Sequence, residues 1–147
     1  MNLSTHFTVE EFTHSQTASR LGIDNDLPVG LYPTAKRTAV GLEAVRELLN
    51  SNAILISSGY RSPDLNKAVK GSNVSQHCIA EAVDFTCPTY GNVTQIVTAI
   101  VKSNIKYDQV IQEFSSKPGA GWVHISFNDN PRKMALIIDA DGTRAFA

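Results

Sequence analysis

The sequence predicts an α+β domain with a mainly antiparallel sheet. Three observations carry that prediction. Segments 33–50 and 92–104 repeat apolar residues at helical spacing. Several short apolar or alternating segments, bounded by turn residues, read as strands. The helices precede and interrupt these strands without the repeating βαβ rhythm of a parallel sheet. At 147 residues the chain has the length of one domain with a real core. No repeat, linker or low-complexity segment divides it, so residues 1–147 read as a single domain.

Thr8, followed three residues later by Glu11, forms a capping-box pattern that starts a short helix. Phe7 and Phe12 are its anchors. Residues 14–32 are polar and punctuated by Gly22, Pro28 and Gly30, which reads as surface loop with room for a helical turn. His6 and His14 lie in this N-terminal region without a partner spacing that suggests ligation. Pro33 suits the start of the long helix. Its expected buried stripe is Val40, Leu42, Val45, Leu48 and Leu49, leaving Lys36, Arg37, Glu43 and Arg46 to water. Residues 53–58 read as a buried strand, 59–63 as the loop after it, 64–69 as a short helix and 70–73 as another loop. A strand over 79–86 contains Asp84, and 88–91 make a turn. The helix over 92–104 buries Val93, Ile96, Val97, Ile100 and Val101. Residues 107–114 and 122–127 form two strands around a hairpin loop at 115–121. A last strand spans 134–138 and turns at Asp141-Gly142.

The composition, 42% apolar and 18% charged, is that of a soluble globular protein. A net charge of -1 gives no electrostatic reason to expect nucleic acid or an anionic membrane as partner. No apolar run reaches transmembrane length, and the first residues lack a basic region followed by an apolar one. Synthesis in the cytoplasm and a monomeric state are the expectations. Cys78 and Cys87, without an export signal, read as free thiols. Cys78 adjoins a candidate ligand, but on a strand it would point the opposite way.

The chemistry concentrates in two places. Residues 75–85 read Ser-Gln-His-Cys-Ile-Ala-Glu-Ala-Val-Asp-Phe, and residues 122–126 read Trp-Val-His-Ile-Ser. His77, Asp84 and His124 supply two imidazoles and a carboxylate, the ligand set of an open catalytic zinc site. Zinc in such a site lowers the pKa of water toward about 7 and polarises a carbonyl. A neighbouring carboxylate moves the proton to the leaving amine, and a cation binds a substrate carboxylate or the developing oxyanion. On its strand His124 shares a face with Trp122 and Ser126, with Val123 and Ile125 on the core face. Spacing alone leaves a second reading open, in which each residue is an ordinary packed or solvated polar group.

Ser75-x-His77, Asp84 and Trp122-x-His124 together resemble the zinc DD-peptidases, the D-alanyl-D-alanine carboxypeptidase or peptidase M15 family. The usual motif there is Ser-x-His-x-x-Gly-x-Ala-x-Asp, then a Trp-rich strand bearing the second His. Ser-Gly-Tyr-Arg-Ser at 58–62 also matches, as do His6-Phe7-Thr8 and Glu11-Phe12. The opening, with Ser15-Gln16-Thr17-Ala18, resembles the short single-domain branch found among phage endolysins. The resemblance runs from about residue 4 to 128. It implies a hedgehog/DD-peptidase-like fold, with Zn2+ held by His77, Asp84 and His124. It implies Arg61 as the catalytic and substrate-binding cation, and Ser75 and Gln76 as groups that contact substrate or orient the first ligand.

The sequence departs from the motif in two places. The motif glycine is Ala80. Many relatives carry the catalytic Glu three residues before the last His, where this chain has Gly121. Glu113, at the end of the preceding strand, is the expected replacement, because a hairpin brings it beside His124. Glu81 and Asp108 are its rivals, and Asp108 alternatively holds the second nitrogen of a ligand histidine. The expected function is hydrolysis of a peptide bond in the stem or cross-bridge of bacterial peptidoglycan, as carboxypeptidase or endopeptidase, with release to the wall during phage lysis. The alternatives are a cytoplasmic D,D-dipeptidase and a non-catalytic zinc-binding virion or assembly protein.

Overall fold

A computed structural model describes residues 1–117 and 119–146. Residue 118, in the expected hairpin loop, lies outside the described residues. The helices are α1 (Val9–Thr13), α2 (Gln16–Leu21), α3 (Tyr32–Leu48), α4 (Pro63–Ala68) and α5 (Val93–Lys102). The strands are β1 (Leu55–Ser58), β2 (Ala82–Thr86), β3 (Gln109–Glu113), β4 (Trp122–Ser126), β5 (Met134–Asp139) and β6 (Gly142–Ala145). They form one sheet in the order β1-β2-β4-β3-β5-β6. Every pairing is antiparallel except β3 with β5. The fold is α+β with a mainly antiparallel sheet, as the sequence predicts. Among the described residues no helix is long and apolar enough to cross a membrane.

Strand register sorts the two faces. Val83 pairs with Ile125, which pairs with Val110, and all three are fully buried under the helices. Phe85 and Val123 extend that layer, and α5 packs on it through Ile96, Val97 and Ile100. One residue along, Asp84 pairs with His124 and His124 with Ile111. Side chains alternate along a strand, so this row points to the opposite face, with Glu113 and Trp122 as the next cross-strand pair.

Local signals explain most of the helices. The Thr8–Glu11 capping box is formed, and Phe12 is fully buried. Ser15 caps α2, and Gly22 ends it in the left-handed region at φ 68. Asn92 and Gln95 make a second capping box at α5.

Four readings of the sequence need correction. Val40 does not belong to the buried stripe of α3 and is 62% exposed. The buried face is Ala35, Thr38, Ala39, Leu42 and Val45; Val40 lies about 100° around from Ala39. The small alanines let the helix approach the body, and Thr38 donates its hydroxyl to the Ala80 carbonyl at 2.7 Å. Arg37 on this helix is not left to water but pairs with Glu81 at 2.8 Å and Asp129 at 3.0 Å. Likewise β1 is not a buried strand. It ends the sheet, Leu55 is exposed, and a bulge between Ile56 and Ser58 breaks its register with β2. The extra residue, Ser57, donates its hydroxyl to the Asp84 carbonyl at 3.2 Å. Bulges of this kind re-aim neighbouring side chains. Finally, the last strand is not 134–138 but β6, whose four residues are all exposed and carry no apolar alternation that the sequence could show.

Candidate metal centre

His77 sits on a single 3₁₀ turn, Gln76–Ile79. Ser75 caps that turn by accepting from the His77 backbone N–H at 3.2 Å. Ala80 closes it at φ 61, a left-handed conformation that glycine adopts more easily. This explains why glycine suits the motif at that position. His77 itself is buried, and its Nδ1–H donates to the Gly59 carbonyl at 2.7 Å. A carbonyl can only accept, so this bond fixes the tautomer and aims Nε2 at the ligand cluster. Gly59 holds its place because a Cβ there would lie 2.5 Å from the Phe12 carbonyl oxygen. Tyr60 N–H donates to that oxygen at 2.7 Å, and Arg61 N–H donates to the His77 carbonyl at 3.1 Å.

Asp84 and His124 face each other across β2 and β4. One oxygen, Asp84 Oδ1, lies 3.2 Å from His77 Nε2 and 3.0 Å from His124 Nδ1. The two imidazole rings meet edge to face with centroids 5.1 Å apart. One ligand atom from each of the three residues falls within 4.8 Å of the others. Burial pushes the Asp84 carboxyl up, but the two imidazoles outweigh it and hold the carboxyl below its usual range. That attraction needs a proton on Nε2; with Nδ1–H committed to Gly59, a ring lacking it would turn its lone pair toward the anionic oxygen. A cation between them relieves that repulsion. Two imidazole nitrogens and a carboxylate oxygen suit zinc and leave a coordination position open. The residues present therefore fit a divalent metal.

Cys78 is a free, half-buried thiol outside this cluster. It follows His77 on a 3₁₀ turn rather than on a strand. At three residues per turn it projects about 120° away, so it stays out of the cluster for a different reason from the one expected.

The ligands line a cleft of about 750 Å³ together with Arg61, Ser75, Gln76, Glu113 and Trp122. Glu113 is half-buried at the end of β3. Burial and the Asp84 charge raise its pKa, against the lowering pull of His124, the Trp122 N–H and Arg61. The Trp122 indole N–H is buried without a formed hydrogen bond, and its ring stacks on Phe114 with centroids 5.5 Å apart. Arg61 is also half-buried. Its Nη2 donates to Ser75 Oγ at 3.3 Å, its Nε is buried without a partner, and among the described residues it makes no ion pair. That is an unspent cation beside the cluster.

The rival carboxylates are committed elsewhere. Glu81 binds Arg37 and accepts from Gln76 Nε2 at 3.2 Å. Asp108 is fully buried and accepts from Arg132 Nε at 2.9 Å, Nη2 at 2.7 Å and backbone N–H at 3.0 Å. It also accepts from Gln76 Nε2 at 2.9 Å. These donors, led by the Arg132 guanidinium, hold its carboxyl far below the usual range. Asp108 therefore does not hold the second nitrogen of a ligand histidine. For His77 a backbone carbonyl does that, and Gln76 takes the Asp108 oxygen. With both amide hydrogens given to carboxylates, Gln76 Oε1 meets no donor among the described residues.

Position 121 could not have carried the glutamate. Gly121 has φ 85, and a Cβ there would stand 2.3 Å from the Glu113 carbonyl oxygen. The contributions that sequence reasoning did not reach are the Gly59 carbonyl, the Thr38 anchor on Ala80 and the Arg132 brace on Asp108. A model of the family described as Peptidase M15 matches residues 5–126, a span that includes every residue of the cluster and of its candidate catalytic neighbours. No curated protein matches the chain.

Proposed function

This chain belongs to the peptidase M15 family, a family of metallopeptidases, and on that footing we propose that it uses zinc to hydrolyse a peptide bond in the stem or cross-bridge peptides of bacterial peptidoglycan. The observation that carries the reading is the convergence in one cleft of three ligand atoms, an unspent guanidinium and a carboxyl whose pKa burial raises above its ordinary value. Zinc, when held by His77, Asp84 and His124, would supply Lewis-acid activation of water and carbonyl. Glu113 is the base. Its carboxylate takes a proton from the attacking water and returns it to the leaving amine, work for which a raised carboxyl pKa is suited. Arg61 holds a substrate carboxylate, with Ser75 steadying its guanidinium. Gln76 offers Oε1 to a substrate N–H while Glu81 and Asp108 fix its amide. The proposed setting is phage lysis, with the enzyme acting on the wall as a monomer.

The test is direct. Purified zinc-loaded protein is incubated with peptidoglycan of several chemotypes, and the fragments are identified by mass spectrometry. Glu113→Ala should lose about 10²–10⁴-fold in rate while keeping its zinc, whereas His77→Ala should lose the metal. Equal rates for wild type and Glu113→Ala would remove Glu113 as base. Stoichiometric zinc in His77→Ala would remove the metal site, and absence of fragments from every chemotype would remove the substrate.

A further inference from the structure

The ligand cleft does not end at Arg61. A second cleft of about 480 Å³ opens on the other side of that residue, and Arg61 and Val69 line both. One wall of the second cleft is β1, through Ile56, Ser57 and Ser58, and the other is the start of α2, through Gln16 and Thr17. As the terminal strand of the sheet, β1 has a free side. Among the described residues its backbone groups make no hydrogen bond outside the ladder with β2, although α1 packs against part of the strand. A free strand edge pairs readily with an extended chain. The walls are rich in hydroxyl and amide groups. Arg61, His14 and Tyr60 are the cationic or titratable side chains, and among the described residues no acidic side chain lines the cleft.

The position of Arg61 then decides what it can hold. A cation backed by a closed wall selects the end of a chain, because nothing further fits behind the carboxylate. Here the chain can continue past the guanidinium into open, anion-tolerant space. We propose, on the peptidase reading above, that the second cleft receives the continuation of the substrate, an extended peptide segment laid along the β1 edge with an internal carboxylate at Arg61. The enzyme accordingly cuts within a peptide and does not trim its terminal residue.

Two measurements test this. The first is equilibrium binding of a fluorescein-labelled peptidoglycan stem pentapeptide, read by anisotropy on zinc-loaded Glu113→Gln protein so that turnover does not intervene. Thr17→Trp, which fills the cleft, should weaken binding about tenfold or more. Gln16→Glu and Gln16→Lys change only an exposed charge at the cleft wall. They should weaken and tighten binding by about threefold, respectively. Melting temperatures of all three variants establish that they are folded, and the Gln16 pair carries the test if Thr17→Trp is not. The second measurement is mass spectrometry of products from purified sacculi, where each fragment should retain at least two residues beside the cut bond. Release of a single C-terminal amino acid alone overturns internal cleavage. Equal peptide affinity across wild-type and variant clefts, or no binding at all, overturns the subsite. If sacculi yield no fragments while the variants shift binding as expected, the peptidoglycan-hydrolase reading fails and the peptide-binding cleft stands.

Discussion

Gly121→Ala tests how the end of β3 is held against the end of the following loop. The new methyl carbon would lie 2.3 Å from the Glu113 carbonyl oxygen and 2.8 Å from the Phe114 carbonyl carbon and Ser115 Cα. All three are backbone atoms, so no side-chain rotation relieves the overlap. Two costs add. A side chain in the left-handed region costs about 1–2 kcal/mol, and overpacking against fixed atoms costs about 1–3 kcal/mol. The sum is a loss of about 2–5 kcal/mol. For a chain of this size each kcal/mol lowers Tm by about 2–4 °C, so Tm should fall by about 4–20 °C. Thermal unfolding followed by circular dichroism reads the shift, with urea unfolding as a cross-check on the free energy. A companion variant, Gly121→Glu with Glu113→Ala, should not recover peptide hydrolysis, because a glutamate at 121 cannot enter without moving the strand. A Tm within 2 °C of wild type, or recovered hydrolysis in the companion, would refute the steric reasoning.

The other expectations concern the supports of the site. Asp108→Asn removes the charged acceptor from Arg132 and Gln76, and should cost about 2–3 kcal/mol once the exposure of Arg132 is allowed for. The folded-state carboxyl titrates below its unfolded value of about 3.9, so this stabilisation is complete above that pH and disappears as pH falls toward the folded value. Urea unfolding of zinc-free protein should therefore show the wild-type advantage narrowing by about 1 kcal/mol between pH 7 and pH 3; a gap independent of pH counts against the ion pair as its source. Gly59→Ala should push the His77-binding carbonyl away from Nδ1 and weaken zinc affinity about 10–100-fold, measured by competition with a chelator. Unaltered affinity would mean that the carbonyl does not orient the ligand. Ser51→Gly should raise stability by about 0.5–1 kcal/mol, since Ser51 is exposed at φ 58 and its replacement relieves a left-handed cost larger than the chain entropy added. A lowered Tm would contradict that balance.

Much of this molecule is legible in the sequence because its local signals agree with its packing. Thr8 with Glu11 announces α1, and the Val93–Ile96–Val97–Ile100 stripe identifies the buried side of α5. The alternation in Trp122–Ser126 turns His124 to the face opposite Val123 and Ile125. What periodicity misses has a common cause. On α3 the inward face is set by close approach at Ala35 and Ala39, where small size matters more than hydropathy, so Val40 misleads. The exposure of β1 follows from its place at the sheet end, which depends on pairings made by other strands. The group that orients His77 is a backbone carbonyl, and no residue type encodes that. Among the described residues Glu113, unlike Glu81 and Asp108, forms no ion pair, because Arg37 and Arg132 come to rest elsewhere.

The order of strands also constrains when the centre can exist during folding. His77 and Asp84 are seven residues apart and can meet through local structure, but His124 lies forty residues beyond Asp84. It arrives on β4, the strand that must slot between β2 and β3 to complete the middle of the sheet. Contacts of such sequence separation form late, after a costly loop closure. A chain emerging from the ribosome thus holds an incomplete pair of ligands until residue 124 has been made and inserted. Capture of a metal by these three residues would thereby be tied to closure of the sheet, so that a bound ion would report β4 in place.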